Sequence, residues 1–293
     1  MSRAAGVGLA LVSATSFATL GLLAKFVYAE GFSVPQALAW RFTIAASALW
    51  LWLLARGGWK RSARDYRSAL LLGALGFSPQ AGLYFLTVRH LDPGLASLLL
   101  YLYPAFVVGL SALVFGERPR SRQLAALILA LAGCVLTLGA RGSYPVIGYV
   151  FGVAVAASYA AYLVAGERVL ARLDPVFATT CVMTAAALVY WVVTLIDGST
   201  RLPSGPGSVF GLLGLAMLAT VLPIVTLFAA IKAIGASDAS LVSTVEPLVT
   251  IALSAVFLGE RLSAVQLAGG AFILAGVLAL NLPERRRPGP GPA

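Results

Sequence analysis

Charge is scarce in this chain. Only 11% of its 293 residues are Asp, Glu, Lys or Arg, where a soluble globular domain carries about a quarter. With 60% of the residues apolar, there is too little polar surface to cover the outside of a water-soluble fold. Histidine is nearly absent: His90 is the single one, and it falls in an expected outer loop. That argues against a buried Ser-His hydrolase pair and against a histidine metal site. Lysine is limited to Lys25, Lys60 and Lys232, and none follows the glycine spacing of a phosphate-binding loop. ATP-driven work would need a separate subunit. The two cysteines, Cys134 and Cys181, both lie in apolar runs, so neither a disulfide nor metal ligation is expected.

What the chain has instead is apolar length. Lipid is the solvent that accepts it, and the length suits ten spans of ~20 residues joined by short loops. Breaks at charged or Gly/Pro-rich stretches place helices near 4–29, 34–55, 67–88, 93–115, 121–140, 145–165, 174–196, 208–232, 237–258 and 263–282. The first run is too long for a signal-peptide core and leads straight into more spans, so it is expected to be retained. The net charge of +10 forms no basic face with interleaved stacking residues, so no nucleic acid is expected as partner. With the N-terminus inside, fifteen Lys and Arg residues fall in inner segments and five in outer ones. Cytoplasmic segments carry that excess. Both termini are therefore expected to be cytoplasmic, in a multi-pass protein of a bacterial-type inner membrane.

The chain repeats itself. A shift of 143 residues lays Ala96-Ser97-Leu98 on Ala239-Ser240-Leu241, Pro104 on Pro247, and Gly116-Glu117-Arg118 on Gly259-Glu260-Arg261. It also lays Gln123-Leu124-Ala125 on Gln266-Leu267-Ala268 and Ala132-Gly133 on Ala275-Gly276. A shift of 142 pairs Gly6, Ala10, Ala14 and Ala18 with Gly148, Gly152, Ala156 and Ala160. Such ladders of small residues let helices approach closely in lipid. The expected domains are 1–141, a first five-helix repeat, 142–283, a second one, and 284–293, a basic disordered tail. Five is odd, so the second copy enters the membrane from the opposite side. Inverted repeats place a site near the midplane between the halves of a secondary transporter.

At these residues the sequence resembles the drug/metabolite transporter superfamily, in particular its EamA-type exporters. The resemblance runs over nearly the whole chain. It is carried by Tyr103-Pro104 through Gly116-Glu117-Arg118 to Gly133, by Glu246-Pro247 through Gly259-Glu260-Arg261 to Gly276, and by Lys25 and Arg41-Phe42. The first helix departs from the pattern, with Phe17-Ala18 where many members carry Trp-Gly. Among members, the chain is most similar to exporters of the YddG type, which move aromatic amino acids and related metabolites. The resemblance implies an all-α, ten-helix basket with a central cavity that exports small amphipathic molecules, without a cofactor or a bound metal.

The residues that could serve such a cavity are few. Glu246 lies about eight residues into the ninth span, roughly 12 Å deep, where a carboxylate is costly and reads as functional. It could bind an amine or take up a proton; alternatively it pairs with Arg41 or bonds backbone groups freed by Pro247. Arg41, inside the second span, could hold a substrate carboxylate. Tyr101 and Tyr103 lead the polar or half-polar groups within spans, followed by Gln80, Tyr84, Tyr159, Tyr162, Ser16 and Ser158, with Trp40 beside Arg41. Buried phenols want partners and offer stacking faces. Pro79, Pro104, Pro223 and Pro247 interrupt spans and could act as pivots. The reading is a secondary transporter, not an enzyme, whose partners are a small-molecule substrate and the lipid bilayer, acting as a monomer. Alternatives are a same-fold permease for sugars, nucleosides or drugs and, outside transport, an intramembrane enzyme or a channel or scaffold.

Overall fold

A computed structural model describes residues 2–115, 124–125, 128–129, 132–133, 136, 144–170, 173–198, 200–243 and 245–281. Most of the expected fifth span, Cys134, Gly116-Glu117-Arg118 and the basic tail lie outside the described residues. Among the described residues every regular element is helical. Lipid offers a backbone amide no partner outside its own segment, so a spanning chain must satisfy itself as helix.

In chain order the helices are α1 Arg3–Ala18, α2 Leu20–Ala29, α3 Val34–Ala55, α4 Ala63–Leu71, α5 Ser78–His90, α6 Pro93–Leu100 and α7 Tyr103–Phe115. They continue with α8 Val146–Leu170, α9 Pro175–Ile196, α10 Pro206–Leu213, α11 Leu222–Ser243, α12 Glu246–Leu258 and α13 Ala264–Asn281. Six helical stretches are long and apolar enough to cross a membrane: Arg3–Ala29, Val34–Ala55, Ala63–His90, Val146–Gly166, Val176–Ile196 and Pro206–Leu227. Shorter apolar helices run over Pro93–Val107, Glu246–Leu258 and Ala264–Gly276. The ends are chemically marked. Ser33 and Gln36 form a reciprocal capping box before α3, Ser62 and Asp65 form another before α4, and Asp174 caps α9. Gly259, at φ 67°, closes α12 in the left-handed region.

The breaks inside spans follow the prolines, and they recur at matched positions. α6 ends at Leu100 and α7 starts at Tyr103; α11 ends at Ser243 and α12 starts at Glu246, in each case 143 residues on. π-helical turns span Leu72–Phe77 and Gly214–Val221, beginning 142 residues apart, and each runs into a proline, Pro79 or Pro223. Proline has no N–H to donate, and the wider turn shifts the carbonyls it would leave idle. A hydroxyl takes one up in each copy: Ser78 donates to the Gly73 carbonyl and Thr220 to the Leu215 carbonyl, both at 2.8 Å. One expected break does not occur. α11 runs unbroken through 232–237, where the eighth span was expected to end, because 224–243 contains no proline and a single glycine, Gly235.

The two small-residue ladders are buried along their length. On α1, Gly6 meets Ala233 and Ile234, Ala10 joins Ala230 in one cluster, and the Ser13 hydroxyl donates to the Pro223 carbonyl at 2.8 Å. On α8, Gly148 meets Leu91 and Gly152 meets Leu99. So α1 packs on α11, α8 packs on α5, and α3 packs on α9. The first two pairings exchange under the 142-residue shift, and each joins the first half of the chain to the second. Gly73, in the first π-helical turn, faces backbone: a Cβ there would stand 2.7 Å from both the Cα and the carbonyl oxygen of Val182. Backbone cannot swing aside as a side chain can. Gly73→Ala should therefore lower stability by about 1–3 kcal/mol, the usual cost of overpacking. Gly8→Ala, where nothing lies within 4 Å, should leave thermal unfolding in detergent unchanged. Equal melting of the two variants would refute this close packing.

Candidate functional site

Arg41 sits on α3 with 5% of its surface exposed. Its Nε donates to the Thr220 hydroxyl at 2.8 Å, across to the second π-helical turn. The guanidinium lies 4.9 Å from the Phe42 ring centroid and 5.3 Å from that of Phe85, a cation on two aromatic faces. Its other polar neighbours are the phenols Tyr28, Tyr84 and Tyr190. Among the described residues no carboxylate forms an ion pair with it, so the expected alternative of an Arg41–Glu246 pair is not found. Only Nε of Arg41 is turned to Thr220, on the opposite half of the chain. A cation so deep in the bundle costs several kcal/mol if left uncompensated, and a ligand carboxylate would compensate it.

Glu246 opens α12, directly after the break at Val245, where the positive end of the helix dipole favours an anion. The Tyr101 hydroxyl lies 2.7 Å from the Ser243 carbonyl and 3.1 Å from Oε2 of Glu246. A phenol has one proton. Given to Ser243, it leaves the phenol oxygen free to accept from a protonated Glu246; given to Glu246, it holds an ionised carboxylate instead. The arrangement serves both states. From Tyr101 a row of rings leads away: Tyr101 to Tyr103 at 6.1 Å, Tyr103 to Tyr159 at 4.8 Å, and Tyr159 to Tyr162 at 6.1 Å, stacked. Tyr84 is buried on α5, within electrostatic reach of both Arg41 and Glu246. Gln80 stands one helical turn before it, on the same face. Neither Gln80 nor Tyr84 has a hydrogen-bond partner among the described residues, and neither polar tip is sealed from open space.

The structure thus gathers Arg41, Gln80, Tyr84, Tyr101, Tyr103, Tyr159 and Glu246 toward one interior region. Tyr162 ends the row at a separate cleft, which Ser158 also lines. Ser16 is buried beside the α1/α2 break, where Thr19 donates to its carbonyl. Trp40 is turned away from these residues: its Nε1 donates to the Arg201 carbonyl in the segment before α10 and its ring meets Trp191. The pivots sit at helix joints, Pro79 exposed and Pro223 and Pro247 buried.

Sequence reasoning missed Thr220, which a π-helical turn alone brings to Arg41. It also missed a polar cluster between spans. There the Tyr144 hydroxyl donates to Oδ2 of Asp92, and Glu260 stands beside Asp92, Lys25 and Ser254. The repeated Gly-Glu-Arg motif was the available signal, read as a marker of the repeat and of the family resemblance and not as a site. Burial, with the Asp92 charge beside it and Lys25 opposing, pushes the Glu260 carboxyl up to about 7. Burial and the bond to Asp92 push the Tyr144 phenol up.

Comparison with known proteins completes the picture. The model of the EamA-like transporter family matches twice, over residues 4–139 and 146–282. The uncharacterized transporter YcbK of Bacillus subtilis is 30% identical, over 91% of this chain and 89% of that protein. A probable terminal-alkyne amino-acid exporter of Streptantibioticus cattleyicolor is 27% identical, over 86% and 85%. The aromatic amino acid exporter YddG of Ancylobacter novellus is 38% identical over a part only, 35% of this chain and 38% of that one.

The Glu260 cluster has a consequence for stability. With its carboxyl raised, the folded protein holds a proton that the unfolded chain releases below pH 5. Stability is then full at low pH and is lost as pH rises through about 7. Thermal unfolding in detergent should move to lower temperature between pH 5.5 and 8, and Glu260→Gln should flatten that dependence. A mutant that keeps the wild-type slope would assign the dependence elsewhere.

Proposed function

The chain belongs to the EamA-like transporter family, and from that premise we propose that it exports small amphipathic zwitterions, amino acids with an aromatic or large apolar side chain. It is a multi-pass protein of the bacterial inner membrane. In this reading 1–141 and 142–283 form two inverted halves, with both termini cytoplasmic. The halves rock about the central site in a single chain, the proline joints giving way as pivots.

The division of charge carries the proposal. Arg41 is a buried cation with no ion-pair partner among the described residues, Glu246 is a carboxyl held by Tyr101 with no ion-pair partner among them either, and Tyr84 lies within electrostatic reach of both. A zwitterion supplies each with its missing partner: its carboxylate takes the guanidinium fork and its ammonium takes Glu246. The apolar body then rests against the tyrosine rings, whose faces suit an aromatic group. A sugar would leave both charges unanswered. The names of two relatives, an amino-acid exporter and an aromatic amino acid exporter, point the same way.

Glu246 also couples transport to protons in this mechanism. Substrate ammonium and a proton compete for one carboxyl. Facing the acidic outside, Glu246 takes a proton and releases the amine; facing inward it loses the proton and takes the next amine. One proton enters for each substrate exported. The phenol of Tyr101 follows by donating to the ionised carboxylate or accepting from the protonated one.

The test is flux in proteoliposomes loaded with labelled amino acids, comparing aromatic, aliphatic and cationic ones with and without a pH gradient. Aromatic or large apolar amino acids should move selectively, several-fold faster with the gradient. Glu246→Gln should lose that gradient response and at least tenfold of the flux, and Arg41→Gln should raise the half-saturating concentration at least tenfold. Gradient-independent flux in the wild type would remove the coupling. No flux of any amino acid would remove the substrate class and turn the search to sugars, nucleosides and drugs.

A further inference from the structure

Away from the central site, a cleft of about 480 Å³ opens between α4 with its following π-helical turn and α8. The two segments run antiparallel, Gly148 meeting Leu91 at one end and Gly76 meeting Tyr162 nearer the other. The cleft therefore belongs to the half of the bundle that follows Arg56, Lys60, Arg61 and Arg64 in the chain, the basic side. Its walls are mostly aliphatic, among them Leu71, Leu75, Ala161 and Ala165, and these four are exposed at the bundle surface. In a membrane that surface faces lipid.

Two features separate this cleft from a groove for acyl chains. First, Ser68 and Ser158 line it, and neither hydroxyl has a hydrogen-bond partner among the described residues. Elsewhere in the bundle Thr43, Thr87, Thr180 and Thr184 each donate to the carbonyl one turn back. Two idle hydroxyls in an apolar cleft suit a ligand that carries a polar group, and an acyl chain offers none. Second, a file of aromatic contacts leads inward from its wall. Tyr162 forms part of its wall, and the same ring stacks on Tyr159, which meets Tyr103, which meets Tyr101 beside Glu246.

We propose that this cleft is a lateral entry site through which membrane-dissolved substrates with an aromatic ring and an amine leave the inner leaflet and pass along the tyrosine row to Glu246. The proposal rests on the export reading for the far end of the route, while the cleft itself is argued from its own walls. An aromatic amine partitions into the headgroup region with its ring toward the acyl chains. Ser68 and Ser158 meet its polar end, and Tyr162 offers the first ring. Substrates too polar to partition reach the central site from water.

Plugging the mouth tests it. Ala165→Trp adds bulk at an exposed position on the cleft wall, away from the central site, so the packed interior is left alone. In proteoliposomes it should cut flux of a bilayer-partitioning probe, tryptophan octyl ester, at least tenfold, and change flux of free tryptophan less than twofold. Equal effects on both, or none on either, would overturn the lateral route. A second readout needs no transport: Ala165→Cys, with Cys134→Ala and Cys181→Ala, is labelled with a membrane-permeant maleimide. Tryptophan octyl ester should slow labelling several-fold, and octanol at equal membrane concentration should not. Protection by both would make the cleft a lipid slot and refute the proposal. Protection by the ester alone, in a protein that moves no amino acid, would keep the cleft while the amino-acid reading falls.

Discussion

The Thr220 hydroxyl donates to the Leu215 carbonyl, five residues back, and accepts from Nε of Arg41. Lipid provides no other donor for a carbonyl displaced by the approach to Pro223, so the wide turn needs that hydroxyl. The hydroxyl in turn fixes where the buried guanidinium points. One side chain thus joins a helix distortion in the second half of the chain to a cation in the first. The first half uses the same device with Ser78 and Gly73, yet among the described residues no cation bonds to that hydroxyl. A charge has been added to one copy of a structural solution that both copies share.

Much of this was legible in the sequence, and the reason is lipid. Apolar length marks spans because charged residues are excluded from hydrocarbon. The ladders at Gly6 and Gly148 mark close helix contacts because only small side chains permit them. The prolines at 79, 104, 223 and 247 all fall at helix joints, as a missing N–H requires. Glu246 and Arg41 stood out because a charge within a span has no cheap explanation. What stayed hidden depends on register. Hydropathy does not distinguish a π-helical turn from an α-helical one, so the contact of Arg41 with Thr220, 179 residues apart, had no signal. Trp40 follows the same logic. It neighbours Arg41 in the chain, but successive residues on a helix point about 100° apart, and Trp40 ends on the segment before α10 instead. Asp92, Tyr144 and Glu260 were hidden because they lie between spans, where charge is ordinary and attracts no notice.

The frame repeats while its charges do not. Glu246 corresponds to Tyr103, 143 residues earlier, and both open a helix after a break. Arg41 has only apolar residues in the matching part of α9, Val182 and Met183, whichever offset of 141 or 142 applies. Each half therefore contributes one charge to a shared region, a cation from the first and a carboxyl from the second. If the pairs α1–α11, α8–α5 and α3–α9 slide as the halves rock, the separation of the two charges changes with them. A ligand that bridges Arg41 and Glu246 then binds one geometry better than another, and that difference is what allows it to bias a conformational equilibrium. In the proposed export cycle, opposite charges on opposite halves would tie the binding of a zwitterion to the motion that releases it.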